Sequence, residues 1–176
     1  FDATKPATAV ELVREIGLVD DAIDVLINNA GVLPAGERYG AIEAKSLLDA
    51  FTINVVGATL LTQAATPMLE RGTAPRVVNI SSTLGSIGTR AAFGTPSYAI
   101  SKAALNMATR QLAFELSARG IVAVAIHPGW VRTAMGGAEA ELEPAAAVAS
   151  VLGVIDRLRG ADAGRFLDWN GTEVPW

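Results

Sequence analysis

Apolar positions change their period several times along the chain. Val10, Leu12, Val13 and Ile16 fall at helical spacing and predict an amphipathic helix over about Ala7–Ile16, with Thr4 as a candidate cap. Asp24-Val25-Leu26-Ile27 shows no polar alternation after its first residue, the pattern of a strand buried on both faces of a parallel sheet. It runs into the turn-forming cluster Asn28-Asn29-Ala30-Gly31. From about Ile42 to Leu69 a stripe of Leu47, Phe51, Asn54, Ala58, Leu61, Ala65 and Met68 steps by three or four, so this stretch reads as helix, closed by Arg71-Gly72. Arg76–Ile80 predicts a second strand, ending at Ser81-Ser82 and a loop dotted with Gly85, Gly88 and Gly94. A helix from Pro96 or Ser97 to about Arg119 is small or apolar nearly all round, and so is buried on more than one side. Ile121–Ile126 predicts a third strand, ending in His127-Pro128-Gly129. Gly136–Ala147 reads as a mobile loop, Pro144–Leu158 as a helix and Gly164–Asp168 as a short last strand.

Alternating strands and helices of this kind make parallel βαβ units. No internal repeat, linker or low-complexity segment interrupts them, so residues 1–176 read as one doubly wound α/β domain. At 51% hydrophobic and 18% charged residues, disorder is excluded. A net charge of −4 offers no basic footprint for nucleic acid. The chain has no cysteine and one histidine, His127, which argues against a thiolate metal site, a zinc centre or a histidine-based triad. No unbroken apolar run approaches the ~20 residues that span a bilayer. No signal-peptide pattern opens the chain. A soluble cytoplasmic protein, with no membrane partner, is the expectation.

Candidate chemistry centres on Tyr98 and Lys102. Four residues apart in a predicted helix, they share one face. A nearby ammonium favours the phenolate and lowers a phenol pKa, which would make the pair an acid/base unit. Alone, the same spacing also describes a surface Tyr–Lys pair. The topology supplies context. Ligands of parallel sheets bind beyond the carboxyl ends of the strands, and Asn28–Gly31, Ser81-Ser82 and Pro128-Gly129 all lie there. Ser82, Tyr98 and Lys102 therefore meet at that end. Asn54, on a core-facing stripe, needs a buried partner. Plain structural readings stand beside these: a turn for Asn28–Gly31, a strand-end cap for Ser82, a local backbone bond for Asn54, an N-cap for Thr133.

In this order and at these spacings, Asn28-Asn29-Ala30-Gly31, Asn54, Ser82, Tyr98-Ala99-Ile100-Ser101-Lys102 and Pro128-Gly129-Trp130-Val131-Arg132-Thr133 resemble the motifs of the classical short-chain dehydrogenases/reductases. The resemblance extends to the C-terminal Asp168-Trp169-Asn170-Gly171 and Pro175-Trp176. It implies a Rossmann-like fold and hydride transfer between NAD or NADP and a small carbonyl or alcohol substrate. Tyr98 would be the acid/base. Lys102 would lower its pKa and bind the nicotinamide ribose, Ser82 would hold the substrate oxygen, and Asn54 would position a relay water. Asn29, Ala30, Gly31, Pro128, Gly129, Val131 and Thr133 would line the cofactor, with Asp2 and Ala3 near its adenine. Ser81 is the alternative catalytic serine. A step of sixteen from Ser82 to Tyr98 exceeds the family's commonest step and places an insertion at Gly88–Pro96.

The family's opening Gly-rich turn has no counterpart here, and neither does its NAD/NADP-selecting charge. By resemblance the chain starts at the end of the third strand, with two βα units absent. The expectation is that an upstream segment precedes Phe1 or another chain covers the bare edge of Asp24–Ile27. Apolar surface on the two long helices, like the resemblance, predicts a homodimer or homotetramer. The alternative is an inactive fragment or pseudoenzyme serving as a dimerising module.

Overall fold

Four strands, β1 (Val25–Asn28), β2 (Arg76–Ile80), β3 (Val122–His127) and β4 (Phe166–Asp168), pair in the order β1-β2-β3-β4, all parallel. The computed structural model describes residues 1–176. Helices α1 (Ala9–Ile16), α2 (Ala44–Phe51), α3 (Ala58–Leu69), α4 (Pro96–Ser117) and α5 (Pro144–Arg157) complete a Rossmann-like α/β fold. Alternate residues of β2 and β3 face opposite ways. Val78, Val124 and Ile126 pack with Val151, Val154, Ile155 and Leu158 of α5. Val77 and Ala123 pack on the other face with Ala65 and Leu69 of α3 and Ala113 and Leu116 of α4. β2 and β3 are thus covered on both sides.

β2 spans the five residues its pattern predicts, whereas β1 departs from expectation. Val25 and Ile27 are 38% and 40% exposed, because they share the face of Val78, and the α5 core packed on that face does not extend over β1. The α1 helix follows a 3-10 turn at Pro6–Thr8 and has no side-chain cap: Thr8 stands at the cap position, but its hydroxyl donates back to Lys5 O. Thr4 turns to Asp2 instead.

The long helix Ala44–Leu69 is broken in hydrogen-bond register by a π-helical turn at Thr52–Gly57. By length and composition this 26-residue helix could cross a membrane. Here it packs against α1 and α4, and it buries Asn54. Gly72 does not serve as a left-handed cap. A Cβ there would lie 2.2 Å from the Ile23 carbonyl oxygen, so glycine permits a close backbone approach.

Gly136–Ala147 is more ordered than a mobile loop. Val131 and Leu142 form a parallel bridge; Arg132 N donates to Leu142 O at 2.8 Å and Leu142 N donates to Trp130 O at 3.0 Å. The Arg132 guanidinium adds bonds to Ala140 O and Glu143. Behind it the C-terminal tail folds back on the loop after β2: Gly88 N donates to Trp176 O at 2.7 Å and Ser86 Oγ donates to Pro175 O at 2.6 Å.

Candidate active site

Tyr98 lies in the first turn of α4 and is 8% exposed. Its ring stands on a wall shared by two cavities at the carboxyl ends of β1, β2 and β3. The larger, about 540 Å³, is lined by Asn29, Gly31, Lys102, Pro128, Val131 and Thr133, with Ile27 of β1 and α5 residues beyond. The smaller, about 390 Å³, is lined by Ser82, Leu33, Leu84, His127, Gly129 and Trp130, among others. Tyr98, Ser81, Pro128, Val131, Thr133 and Met135 border both.

Burial holds the Tyr98 phenol above its ordinary pKa, and the nearby Ser82 hydroxyl offsets part of that rise. Lys102 is 3% exposed and donates from Nζ to Ile80 O at 2.7 Å. Desolvation lowers its pKa to about 8. The expected depression of the phenol by the lysine is therefore not found. Loss of water dominates at both residues, and Nζ is engaged with the end of β2.

Two neighbouring serines have separate tasks. Ser81 Oγ donates to Asn106 Oδ1 of α4 at 2.5 Å, a buried tie between sheet and helix. Ser82 Oγ accepts from Leu84 N at 3.2 Å and faces Tyr98. Gly85 allows the loop after Ser82 to abut α4, since a Cβ there would lie 2.6 Å from the Lys102 carbonyl carbon.

Asn54 is 1% exposed and does not bond Lys102. Its Oδ1 accepts from Val32 N at 2.8 Å. Its Nδ2 donates to Val32 O at 3.0 Å and to Ser101 Oγ at 2.8 Å. The amide thus ties the loop after β1 to α4. Gly31 sits alongside: a Cβ there would lie 3.4 Å from Asn54 Oδ1 and 3.6 Å from Lys102 Nζ. A third cavity of about 190 Å³ collects Ala3, Asn29 and Ala30 with Phe1 and Leu61. Asp2 stays outside it. Bonds from the Thr4 hydroxyl at 2.6 Å and amide at 2.9 Å hold its carboxyl below the usual range.

A model of the short chain dehydrogenase family matches residues 1–143. The chain belongs to the short-chain dehydrogenase family. It is 44% identical to the C-signal of Myxococcus xanthus over 88% of this chain and 93% of that relative. It is 37% identical to short-chain dehydrogenase srdF of Neurospora crassa over 99% of this chain and 72% of that protein. Among solved structures, it is similar to the carbonyl reductase Sniffer of D. melanogaster, with a TM-score of 0.94 and 33% identity, covering 100% of this chain and 76% of that one. An NADPH-bound carbonyl reductase from chicken fatty liver gives a TM-score of 0.88 and 35% identity, covering 100% and 75%.

In this short-chain dehydrogenase the motif residue Asn28 is tied to three residues outside the motifs, Thr62, Asn79 and Thr109. Asn28 Nδ2 donates to Thr62 Oγ1 at 3.0 Å and Asn79 Oδ1 at 2.8 Å, and Asn79 Nδ2 donates to Thr109 Oγ1 at 2.8 Å. This buried ladder joins α3, β1, β2 and α4 beneath the cavities. A polar residue inside the apolar strand Arg76–Ile80 was the available signal for Asn79. His127 borders the smaller cavity; its Nδ1 is buried without a partner, and desolvation lowers its pKa while Asp168 on the neighbouring strand raises it.

Proposed function

We propose that this short-chain dehydrogenase is an NAD- or NADP-dependent oxidoreductase that interconverts a carbonyl and an alcohol, with Tyr98 as the acid/base. The observation that carries this reading is the position of Tyr98 between two cavities, with Lys102 and Gly31 on one side and Ser82 on the other. The larger cavity fits a nicotinamide ribose: it has largely apolar walls, one buried cation, and at Gly31 the space that a Cβ would fill. Asn29, Gly31, Lys102, Pro128, Val131 and Thr133 would hold the cofactor there, with Gly129 reaching it from the smaller cavity and Ala30, Ala3 and Asp2 toward its adenine end. A bound nicotinamide supplies or accepts the hydride. The NADPH-bound chicken reductase, similar over the whole of this chain, supports the cofactor class.

The chain's own residues handle orientation and the proton. Ser82 holds the substrate oxygen against Tyr98. In reduction Tyr98 gives its phenolic proton to that oxygen, and burial keeps it protonated until then. In oxidation it takes the proton back. Lys102, with its pKa lowered to about 8, exchanges protons near neutral pH far more readily than a solvated lysine. Asn54 acts through the loop it fastens. The smaller cavity has no Asp, Glu, Lys or Arg in its lining, which suits a neutral carbonyl compound. Exposed Leu48 and Phe51 of α2 and Ile100, Met107 and Phe114 of α4 support association of two copies through these helices.

One observation favours a second reading, a dimerising module without turnover: the Myxococcus relative is named as a signal. Calorimetric titration with NADH and NADPH separates the readings, followed by oxidation of the bound cofactor in the presence of 4-nitrobenzaldehyde. Saturable binding with turnover supports the oxidoreductase. A dimer that binds neither nucleotide supports the module.

A further inference from the structure

We infer that Glu37 is a positioning residue for Tyr98: it reaches from the loop after β1 to close the N-terminus of α4, fastening the Val32–Glu37 segment as a strap along the substrate side. This rests on the oxidoreductase reading.

A helix start leaves backbone N–H groups that need partners. The local sequence at α4 supplies none through its cap. Thr95 has φ 43 and ψ 54, a left-handed conformation unusual for a β-branched residue, and its side chain makes no cap bond. Pro96 has no N–H. The partner comes from sixty residues upstream. Ser97 N donates to Glu37 Oε2 at 3.1 Å, and Ser97 Oγ donates to Glu37 Oε1. Both carboxylate oxygens are thus spent on the residue adjacent to Tyr98, and Ser97 is fully buried. A carboxylate at a helix N-terminus is favourable through the helix dipole and through charge-assisted bonds.

The other end of the segment is held too. Val32 is gripped through both its N–H and C=O by Asn54, which also bonds Ser101 of α4. The strap is therefore tied to α4 at both ends, flanking Tyr98. Between the ties, Leu33 lines the smaller cavity with Ser82 and Tyr98. One element sets both a wall of the substrate cavity and the placement of the phenol. Misplacement of an acid by a fraction of an ångström lowers turnover without touching cofactor contacts on the far side.

The test compares wild type, Glu37→Gln and Glu37→Ala. Turnover is measured with NADPH and 4-nitrobenzaldehyde, NADPH affinity by fluorescence, and amide hydrogen exchange at Ser97 and Val124. Loss of a helix cap corresponds to about ten-fold. The expected results for Glu37→Ala are a fall of about ten-fold in kcat/KM for the aldehyde, an NADPH Kd within about two-fold of wild type, and Ser97 exchange about ten-fold faster with Val124 unchanged. Glu37→Gln falls between, and it decides the matter if the alanine variant does not fold. Adding Ser97→Ala to Glu37→Ala changes little further. Aldehyde kcat/KM within two-fold of wild type, an equal loss of NADPH affinity, or unchanged Ser97 exchange overturns the assignment. If wild type turns over no aldehyde, the oxidoreductase reading fails, while the exchange measurement still decides whether Glu37 closes α4.

Discussion

Lys102 Nζ lies 5.6 Å from the centre of the Tyr98 ring and donates its hydrogen bond to the Ile80 carbonyl oxygen, away from the phenol. The two side chains do share one face of α4, as their spacing requires. Their chemistry is nevertheless set by burial: the phenol is pushed up and the ammonium down. Both residues are thereby brought to the protonation states a general acid with a nearby exchangeable proton would use near neutral pH.

The Lys102 shift predicts a pH dependence of stability. Its folded pKa, about 8, lies below the solvated value of 10.5, so between these pH values the unfolded chain binds more protons. Stability then rises with pH across that window, and the penalty of the buried charge is fully present below pH 8. The penalty amounts to about 3 kcal/mol at most. Tyr98 acts in the opposite sense above pH 10, where the unfolded phenol ionises first. Urea unfolding of wild type and Lys102→Met from pH 7 to 10 should show wild type gaining on the variant above pH 8. Parallel curves would contradict the buried-cation account.

Asn54→Ala should lower unfolding stability by about 2–4 kcal/mol, because three hydrogen bonds to buried or half-buried groups are lost together. Aldehyde turnover should fall with it, since the Val32 end of the strap is released. Denaturant midpoints at constant m-value check the first expectation, and a loss under 1 kcal/mol would count against it.

Gly85→Ala introduces a Cβ 2.6 Å from the Lys102 carbonyl carbon and 2.7 Å from Ala103 N. Neither backbone atom can yield without moving α4 from the end of β2. The expected loss is about 1–3 kcal/mol, with reduced turnover. Gly160→Ala is the control: a Cβ there meets nothing within 4 Å, and thermal unfolding should change little.

Phe114, Met107 and Ile100 recur every seven residues on the exposed side of α4. If two copies meet through this face and α2, Phe114→Lys should shift the protein to monomer in light scattering, with its far-ultraviolet spectrum unchanged. A wild type that is already monomeric at micromolar concentration would contradict the proposed association.

Much of this architecture was legible because it rests on period. Arg76–Ile80 is a strand by apolar run alone, and the order of turn, serine, Tyr–Lys pair and Pro-Gly loop carries the family. What was hidden depends on partners distant in sequence. Glu37 is an ordinary charge in a polar loop until Ser97, sixty residues on, is folded against it. The π turn around Asn54 is a choice of hydrogen-bond register that the apolar stripe does not encode. Exposure of Val25 and Ile27 follows from how far α5 reaches across the sheet, which apolar character alone does not reveal. Spacing put Lys102 beside Tyr98 but gave no measure of the water each would lose.

If Tyr98 transfers the proton, Tyr98→Phe removes the step, since the ring's packing is kept and only the hydroxyl is lost. Single-turnover oxidation of NADPH with 4-nitrobenzaldehyde, measured beside NADPH affinity, is the decisive pair of readings on that variant. Proton transfer by Tyr98 requires a rate lowered by about 10²–10⁴-fold with the NADPH Kd within two-fold of wild type. A rate within about ten-fold of wild type would contradict it.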